Sequence, residues 1–294
     1  MLPGFEQRRI EVGEVTINAS IGGSGPPLLL LHGYPQTHVM WHCIAPQLAE
    51  RFTVVAADLR GYGGSSKPDG HADHSSYSKR TMAADMVAVM AALGHSRFAV
   101  AGHDRGGRVA YRMALDRPAV VEQLALLDIV PTKTVYDRLD RHVATAYFHW
   151  LMLIQAAPLP ETLIGADPTF WLDTIFGAWI GGGRSGSSPF AAAAVAEYKR
   201  CFDAATIHAS CEDYRAGATL DCDHDADDLA GGRRIACPTL VLWGERGVVG
   251  RAYDVLAAWR EYASDVRGHA VPGGHFLPEE APRETLAALR EFFG

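Results

Sequence analysis

AGHDRGGR, residues 101–108, places an aspartate between glycines at a point where the chain changes character. The residues leading into it, Arg97–Ala101, form an apolar run of strand length. From Gly107 onward, apolar residues recur at helical spacing. Asp104 therefore sits in a sharp strand-to-helix turn. Gly102 and Gly106 stand where neighbouring backbones would crowd a side chain. Such a turn can display its central carboxylate above the edge of a sheet. It can also be a plain junction in which Asp104 caps the helix.

Similar short apolar runs lie on either side. They are Pro27–Leu31, Phe52–Ala57, Val121–Leu127, Thr239–Trp243 and Asp265–Val271. Continuous runs of this kind suit strands buried on both faces of a parallel sheet. Residues 7–21 alternate like an antiparallel hairpin, with Gly13 near its turn. Helical stretches, among them Ser78–Leu93, Gly107–Leu115 and Arg283–Phe293, separate the runs, which implies right-handed βαβ units. The rhythm stops after Asp128 and resumes near Cys237. Between them lie aromatic and alanine-rich stretches and a GGGRSGSSP segment at 181–189 with the composition of a flexible connection. An acidic DCDHDADD segment follows at 221–228. It begins like a calcium loop, but Ala226 and Gly232 replace the glycine and glutamate such a loop needs, so it reads as a solvated connector. The expected organisation is an α/β core over 1–130 and 235–294, with a helical cap at 131–234 over the carboxyl ends of the strands.

The chain has 294 residues, 48% of them hydrophobic, and a net charge of −7. That balance argues against a nucleic-acid partner, which needs a basic face. It leaves room for a small anion in a locally basic pocket. The most apolar stretch, PPLLLLHGYP, is far short of the roughly 18 residues of a membrane helix. The start, MLPGFEQRRIEV, lacks an apolar run fit for export. Five cysteines without a C-x-x-C pair suit reduced thiols in the cytoplasm. His71 and His74 lie in a polar loop that does not fix them as metal ligands, and no metal is expected.

Strand, G-x-Asp-x-G and helix together have the form of a nucleophile elbow. Two further features support that form. His32-Gly33-Tyr34-Pro35 follows the strand Pro27–Leu31, where α/β-hydrolases place a loop that donates a backbone N–H to an oxyanion hole. The second donor is the residue after the nucleophile, so the N–H groups of Tyr34 and Arg105 should converge near Asp104. Chain order then calls for an acid and a histidine. His275, in PGGHF after the last strand, stands in the right place for a general base. Two acids are available, Asp128 in LLDIVP and Glu245 in WGERG. Asp128 is favoured, because a charge flanked by apolar residues must be paired, and orienting an imidazole would pair it.

A carboxylate nucleophile redirects the chemistry. It attacks saturated carbon and forms an alkyl ester, which water then cleaves. Alkyl halides and epoxides become the candidates, while peptides and simple esters do not. Arg105 and Arg108, three apart, share one helix face. Cations are disfavoured at a helix N-terminus, so the pair points to a function. Beside Asp104 they suit a substrate carboxylate, and their charge would keep Asp104 ionised.

These residues carry a resemblance that runs nearly end to end. With HGYPQ (32–36), ADLRGYGGSSKP (57–68), GHDRGGR (102–108), LDIVPT (127–132), FHW (148–150), IGADP (164–168), IHASCEDYRAGATLD (207–221) and PGGHF (272–276), the chain resembles the fluoroacetate/haloacetate dehalogenases of the α/β-hydrolase superfamily. The resemblance implies an α/β-hydrolase fold with a mostly parallel eight-stranded sheet and a helical cap. It implies hydrolysis of haloacetates to glycolate and halide, without cofactor. Asp104 would be the nucleophile, Asp128 and His275 the acid and base, and Arg105 and Arg108 the carboxylate clamp. The halide pocket would be His149, Trp150 and Tyr214, all donors if the imidazole is protonated. A homodimer is implied as well. Tyr147-Phe148-His149-Trp150-Leu151-Met152 is less aromatic than the family's usual run, and FLPEEAP (276–282) is less apolar. An epoxide hydrolase with Tyr147 and Tyr214 as proton donors is the nearest alternative, and a non-catalytic receptor on the same fold is another.

Overall fold

In the computed structural model, which describes residues 2–181 and 188–294, the apolar runs become the strands of one sheet. The strands are β1 (Glu6–Val12), β2 (Val15–Gly22), β3 (Pro27–Leu31), β4 (Thr53–Ala57), β5 (Phe98–His103), β6 (Val121–Leu127), β7 (Thr239–Gly244) and β8 (Val266–Val271). Their order across the sheet is β1-β2-β4-β3-β5-β6-β7-β8. Every neighbouring pair from β4 to β8 is parallel, and β2 runs antiparallel to both β1 and β4. This is the mostly parallel eight-stranded sheet that the sequence led us to expect. Leu28 to Leu31 of β3 are fully buried, as are Val100 and Ala101 of β5. Most of the GGGRSGSSP stretch lies outside the described residues.

The topology dictates where a site can form. From β3 the chain passes to β4 on one side, and from β5 to β6 on the other. The β3–β5 boundary is thus a switch point, where crevices open at the carboxyl ends of the strands in α/β sheets. The register sets Leu31 beside Gly102 and Gly102 beside Leu126. The loops after β3, β5 and β6 consequently leave the sheet side by side.

Two local expectations are corrected. The helix after β5 starts at Arg105, two residues earlier than its apolar spacing suggests. Asp104 completes the turn alone, so both arginines fall in the first helical turn. The acidic segment 221–228 is no solvated connector. It belongs to the helix Cys222–Ala230, and Asp225 and Asp228 are buried. Both meet Arg112 of the elbow helix, Nη2 to Asp225 Oδ1 at 2.9 Å and Nη1 to Asp228 Oδ2 at 2.5 Å. Between β6 and β7 the named elements are helical, from Thr132–Asp137 to Cys222–Ala230.

Candidate active site

Asp104 adopts φ 46° and ψ −115°, a conformation that costs a non-glycine residue about 1–3 kcal/mol. Its side chain does not cap the helix. The turn closes only because its flanks carry no Cβ. A Cβ on Gly102 would come within 2.5 Å of the Gly106 carbonyl oxygen, and one on Gly106 within 2.4 Å of the His32 oxygen. The carboxylate is thereby held above the sheet. Tyr34 donates its backbone N–H to Asp104 Oδ1 at 2.9 Å. Arg105 opens the helix, so its own N–H lacks an intrahelical acceptor.

Asp128, directly after β6, also has a positive φ of 52°. Its Oδ1 accepts the Gly244 N–H at 2.9 Å, and its Oδ2 binds His275 Nδ1 at 2.7 Å. Glu245, the competing acid, is exposed. The backbone fixes His275 from two sides: its N–H donates to the Trp179 carbonyl at 3.0 Å, and its carbonyl oxygen lies 2.8 Å from His103 Nε2. The polar FLPEEAP segment serves this loop. Glu280 accepts the N–H groups of Gly274 and Phe276, each at 2.9 Å. Glu279, protonated more readily because burial pushes its pKa up to about 8, is bound by Gln36 and Tyr198.

His275 Nε2 is buried without a partner and stands 4.0 Å from Asp104 Oδ2. Burial disfavours its charged form, but the hydrogen bond and charge of Asp128, aided by Asp104, outweigh that and raise its pKa above the ordinary value. Burial acts on Asp104 in the opposite sense to its neighbours. His275, His103, Arg108 and Arg105 prevail, and its pKa is lowered.

The guanidinium groups of Arg105 and Arg108 are both buried, yet each keeps a buried nitrogen unpartnered among the described residues: Nη1 of Arg105 and Nε of Arg108. Arg108 Nη1 donates to the Val130 carbonyl and Thr132 Oγ1, and its guanidinium lies 4.6 Å from the centre of the Trp150 ring. Asp104, Arg108, His149, Trp150, Trp179 and His275 line a common small cavity. Tyr214 closes in from the side, its ring 5.7 Å from both His149 and Trp150. His149 Nδ1, Tyr214 Oη and Trp179 Nε1 are buried and, among the described residues, unpartnered. An unsatisfied buried polar group costs about 1–3 kcal/mol, so their grouping around the His149 ring marks a place that suits a polar guest.

One expectation about these groups needs correction. Burial, only partly opposed by Asp104 and reinforced by His275 and the two arginines, drives the His149 pKa well below the ordinary value. That shift favours the neutral imidazole of His149, with a single N–H, over the cation. Trp179 had no place in the sequence reading. Its ring lies 4.3 Å from His149 and 5.3 Å from His275, but GAWI offers no local pattern to mark it.

The profile of the alpha/beta hydrolase fold family matches residues 26–282. A fluoroacetate dehalogenase from Burkholderia sp. is 50% identical, over 99% of this chain and 95% of that protein. The chain belongs to the α/β-hydrolase family, in its haloacetate dehalogenase branch. A soluble epoxide hydrolase from Corynebacterium sp. is a more distant α/β hydrolase at 34% identity, over 92% of this chain and 91% of that one. Among solved structures, an α/β hydrolase from Nostoc sp. PCC 7120 superposes with a TM-score of 0.96 at 56% identity, covering 100% of this chain and 99% of that one.

Proposed function

We propose that this α/β hydrolase is a haloacetate dehalogenase that works through an aspartyl ester. The observation that carries the reading is a carboxylate in the elbow beside two buried arginines, each with a guanidinium nitrogen left unpartnered among the described residues. A neutral epoxide has no use for two cations, whereas a haloacetate carries the anion they match.

In the first step, the substrate carboxylate docks on Arg105 and Arg108. Asp104 Oδ2 attacks the α-carbon in line, the carbon–halogen bond breaks, and halide leaves with the electron pair. His149, Trp150 and Tyr214 supply hydrogen-bond donors for it. Fluoride is a poor leaving group, so preorganised donors matter most there. In the second step, His275 Nε2 takes a proton from water, which attacks Cγ of Asp104. Charge develops on Oδ1, where the Tyr34 N–H already points, and the Arg105 N–H is the second donor. The Cγ–Oδ2 bond then breaks, glycolate departs with the proton from His275, and Asp104, left as the acid, loses its remaining proton to solvent. Asp128 holds the imidazole in its working orientation throughout. Asp104, Asp128 and His275 act as one catalytic triad.

Residues 131–234 are read as the cap, and 1–130 with 235–294 as the core. A homodimer is also proposed, supported by four large apolar side chains left exposed between β6 and β7: Phe148, Leu159, Leu163 and Phe170. Among the described residues, no helix is long and apolar enough to cross a membrane, and a cytoplasmic location is proposed.

The test sets fluoroacetate and chloroacetate beside styrene oxide. Halide and glycolate should appear in equal amounts, with the epoxide left intact. Diol formation without halide release would instead support an epoxide hydrolase using Tyr147 and Tyr214.

A further inference from the structure

The two arginines at the elbow are unequal. Among the described residues, Arg108 meets no carboxylate partner: Nη1 bonds a backbone carbonyl and a hydroxyl. Arg105 gives every hydrogen bond of its guanidinium to one residue. Its Nε donates to Asp213 Oδ2 at 2.9 Å, and Nη2 donates to Asp213 Oδ1 at 2.7 Å and to the Asp213 carbonyl at 2.8 Å. One edge of the fork is thus fully occupied, and Nη1 alone remains.

Asp213 is itself held from behind. The Tyr62 hydroxyl donates to Oδ2 at 2.6 Å, and Lys79 Nζ donates to Oδ1. Lys79 also lies 3.5 Å from Asp221 Oδ2, and its backbone N–H donates to Asp221 Oδ1. All four charged side chains are buried. Arg105 and Lys79 balance Asp213 and Asp221, so the group carries no net charge. Stability does not explain such a group, because apolar residues of equal volume usually stabilise as well or better. Placement does explain it. Asp213 immediately precedes Tyr214, whose ring faces the Arg105 guanidinium 4.1 Å away.

We propose that Asp213 is the positioning residue of the carboxylate clamp. It fixes the Nε–Nη2 edge of Arg105, so that Arg105 meets a substrate carboxylate through Nη1 alone, beside Arg108. Tyr62 and Lys79 keep Asp213 in that pose. This rests on the dehalogenase reading for the identity of the ligand, but it concerns any small carboxylate in the site.

The experiment uses acetate, a carboxylate with no leaving group, titrated calorimetrically into the whole protein. Halide release from chloroacetate is measured alongside. Asp213→Asn keeps the shape and removes the charge and one strong acceptor. Tyr62→Phe removes one hydrogen bond and no charge, so it isolates geometry and leaves a folded protein should the first variant misfold. Acetate should bind about three- to tenfold more weakly to Tyr62→Phe, and more weakly to Asp213→Asn as well, because the loss of a fixed Arg105 edge outweighs the gain from removing an anion near the site. In turnover, KM for chloroacetate should rise by similar factors, with kcat changed less. A merely structural role would lower the active fraction and leave KM and acetate affinity alone. Unchanged or tighter acetate binding in folded variants would overturn the proposal. If the wild type binds acetate but releases no halide, the dehalogenase reading fails while the positioning role stands or falls on the titration.

Discussion

His275 Nε2 lies 4.0 Å from Asp104 Oδ2, while its Nδ1 is bound to Asp128 Oδ2 at 2.7 Å. The imidazole is anchored on its acid side and only approaches the nucleophile. A serine nucleophile would need that contact closed, because its proton must be removed before attack. An ionised carboxylate has no proton to give. The imidazole is therefore free to act later, on water. Replacing His275 with Ala should leave the first step intact and block the second. Mixed with chloroacetate, the variant should release one equivalent of chloride per site and then stop. Mass spectrometry of the peptide carrying Asp104 should find it carboxymethylated. Continued turnover at the wild-type rate would assign the base elsewhere.

The same geometry fixes the path of oxygen. Water attacks Cγ of Asp104, not the substrate carbon, so solvent oxygen enters the enzyme first. In a single turnover in H₂¹⁸O, label should appear in Asp104 and be absent from the first glycolate formed. Label in that first glycolate would mean direct attack of water on the α-carbon.

The two steps also respond differently to pH. Asp104, with its pKa lowered by the cations around it, stays ionised through the weakly acidic range. His275 must be neutral to accept a proton, and Asp128 raises its pKa above the ordinary 6.5. As pH falls through the His275 pKa, ester hydrolysis slows while alkylation continues. The acid limb of kcat should therefore lie above pH 6.5, and the halide burst should persist below it. Asp128→Asn should lower kcat and move that limb to lower pH. A burst that vanished together with kcat would place the titrating group in the first step.

Leaving-group preference should reside in the donors around His149. Tyr214 Oη is buried without a partner, so Tyr214→Phe removes a donor and leaves the ring in place. A lost hydrogen bond to a charged acceptor is worth about 1.5–3 kcal/mol, or roughly 10- to 150-fold in rate. That loss should fall on kcat/KM for fluoroacetate. Bromoacetate should be much less affected, since bromide leaves well and accepts hydrogen bonds poorly. Equal losses on both substrates would assign Tyr214 to packing around Arg105.

How far the sequence spoke for this site depended on the range of the interactions. Asp104, Asp128 and His275 were legible because each ends or follows a strand whose apolar run is local, and because glycines mark the turns. The loops after β3 and β5 could be paired from motif form alone. Asp213 was not legible, since its partner Arg105 is 108 residues away. Lys79 and Trp179 were missed for the same reason: each gains its meaning from chain brought in by the fold. His149 was legible as a donor but not as a neutral one, because its charge depends on burial. The acidic segment 221–228 misled for a related reason. Asp225 and Asp228 are three apart on one helix face, but the charge they answer, Arg112, is more than a hundred residues upstream.

That last contact can be tested through stability. Arg112 joins the helix Cys222–Ala230 to the elbow helix, and its guanidinium is the buried counter-charge of two buried carboxylates. Arg112→Met keeps much of the volume and strands Asp225, while Asp228 keeps its bond to Arg233. Breaking a buried pair by removing one partner costs about 3–5 kcal/mol, so the midpoint of denaturant unfolding should fall accordingly at neutral pH. The loss should depend on pH in a definite direction. Burial raises the pKa of Asp225 to about 6 even with Arg112 present, and without the guanidinium it must rise further. A carboxyl group whose folded pKa exceeds its unfolded one contributes stability that is complete below the unfolded value and is lost as pH rises through the folded one. The variant should accordingly sit closer to the wild type at pH 5, where Asp225 is neutral, than at pH 8, where a buried anion has lost its partner. A deficit of equal size at both pH values would mean that Arg112 acts by packing, and that the charge of Asp225 is met by other groups, with the Tyr111 hydroxyl at 2.9 Å the first candidate.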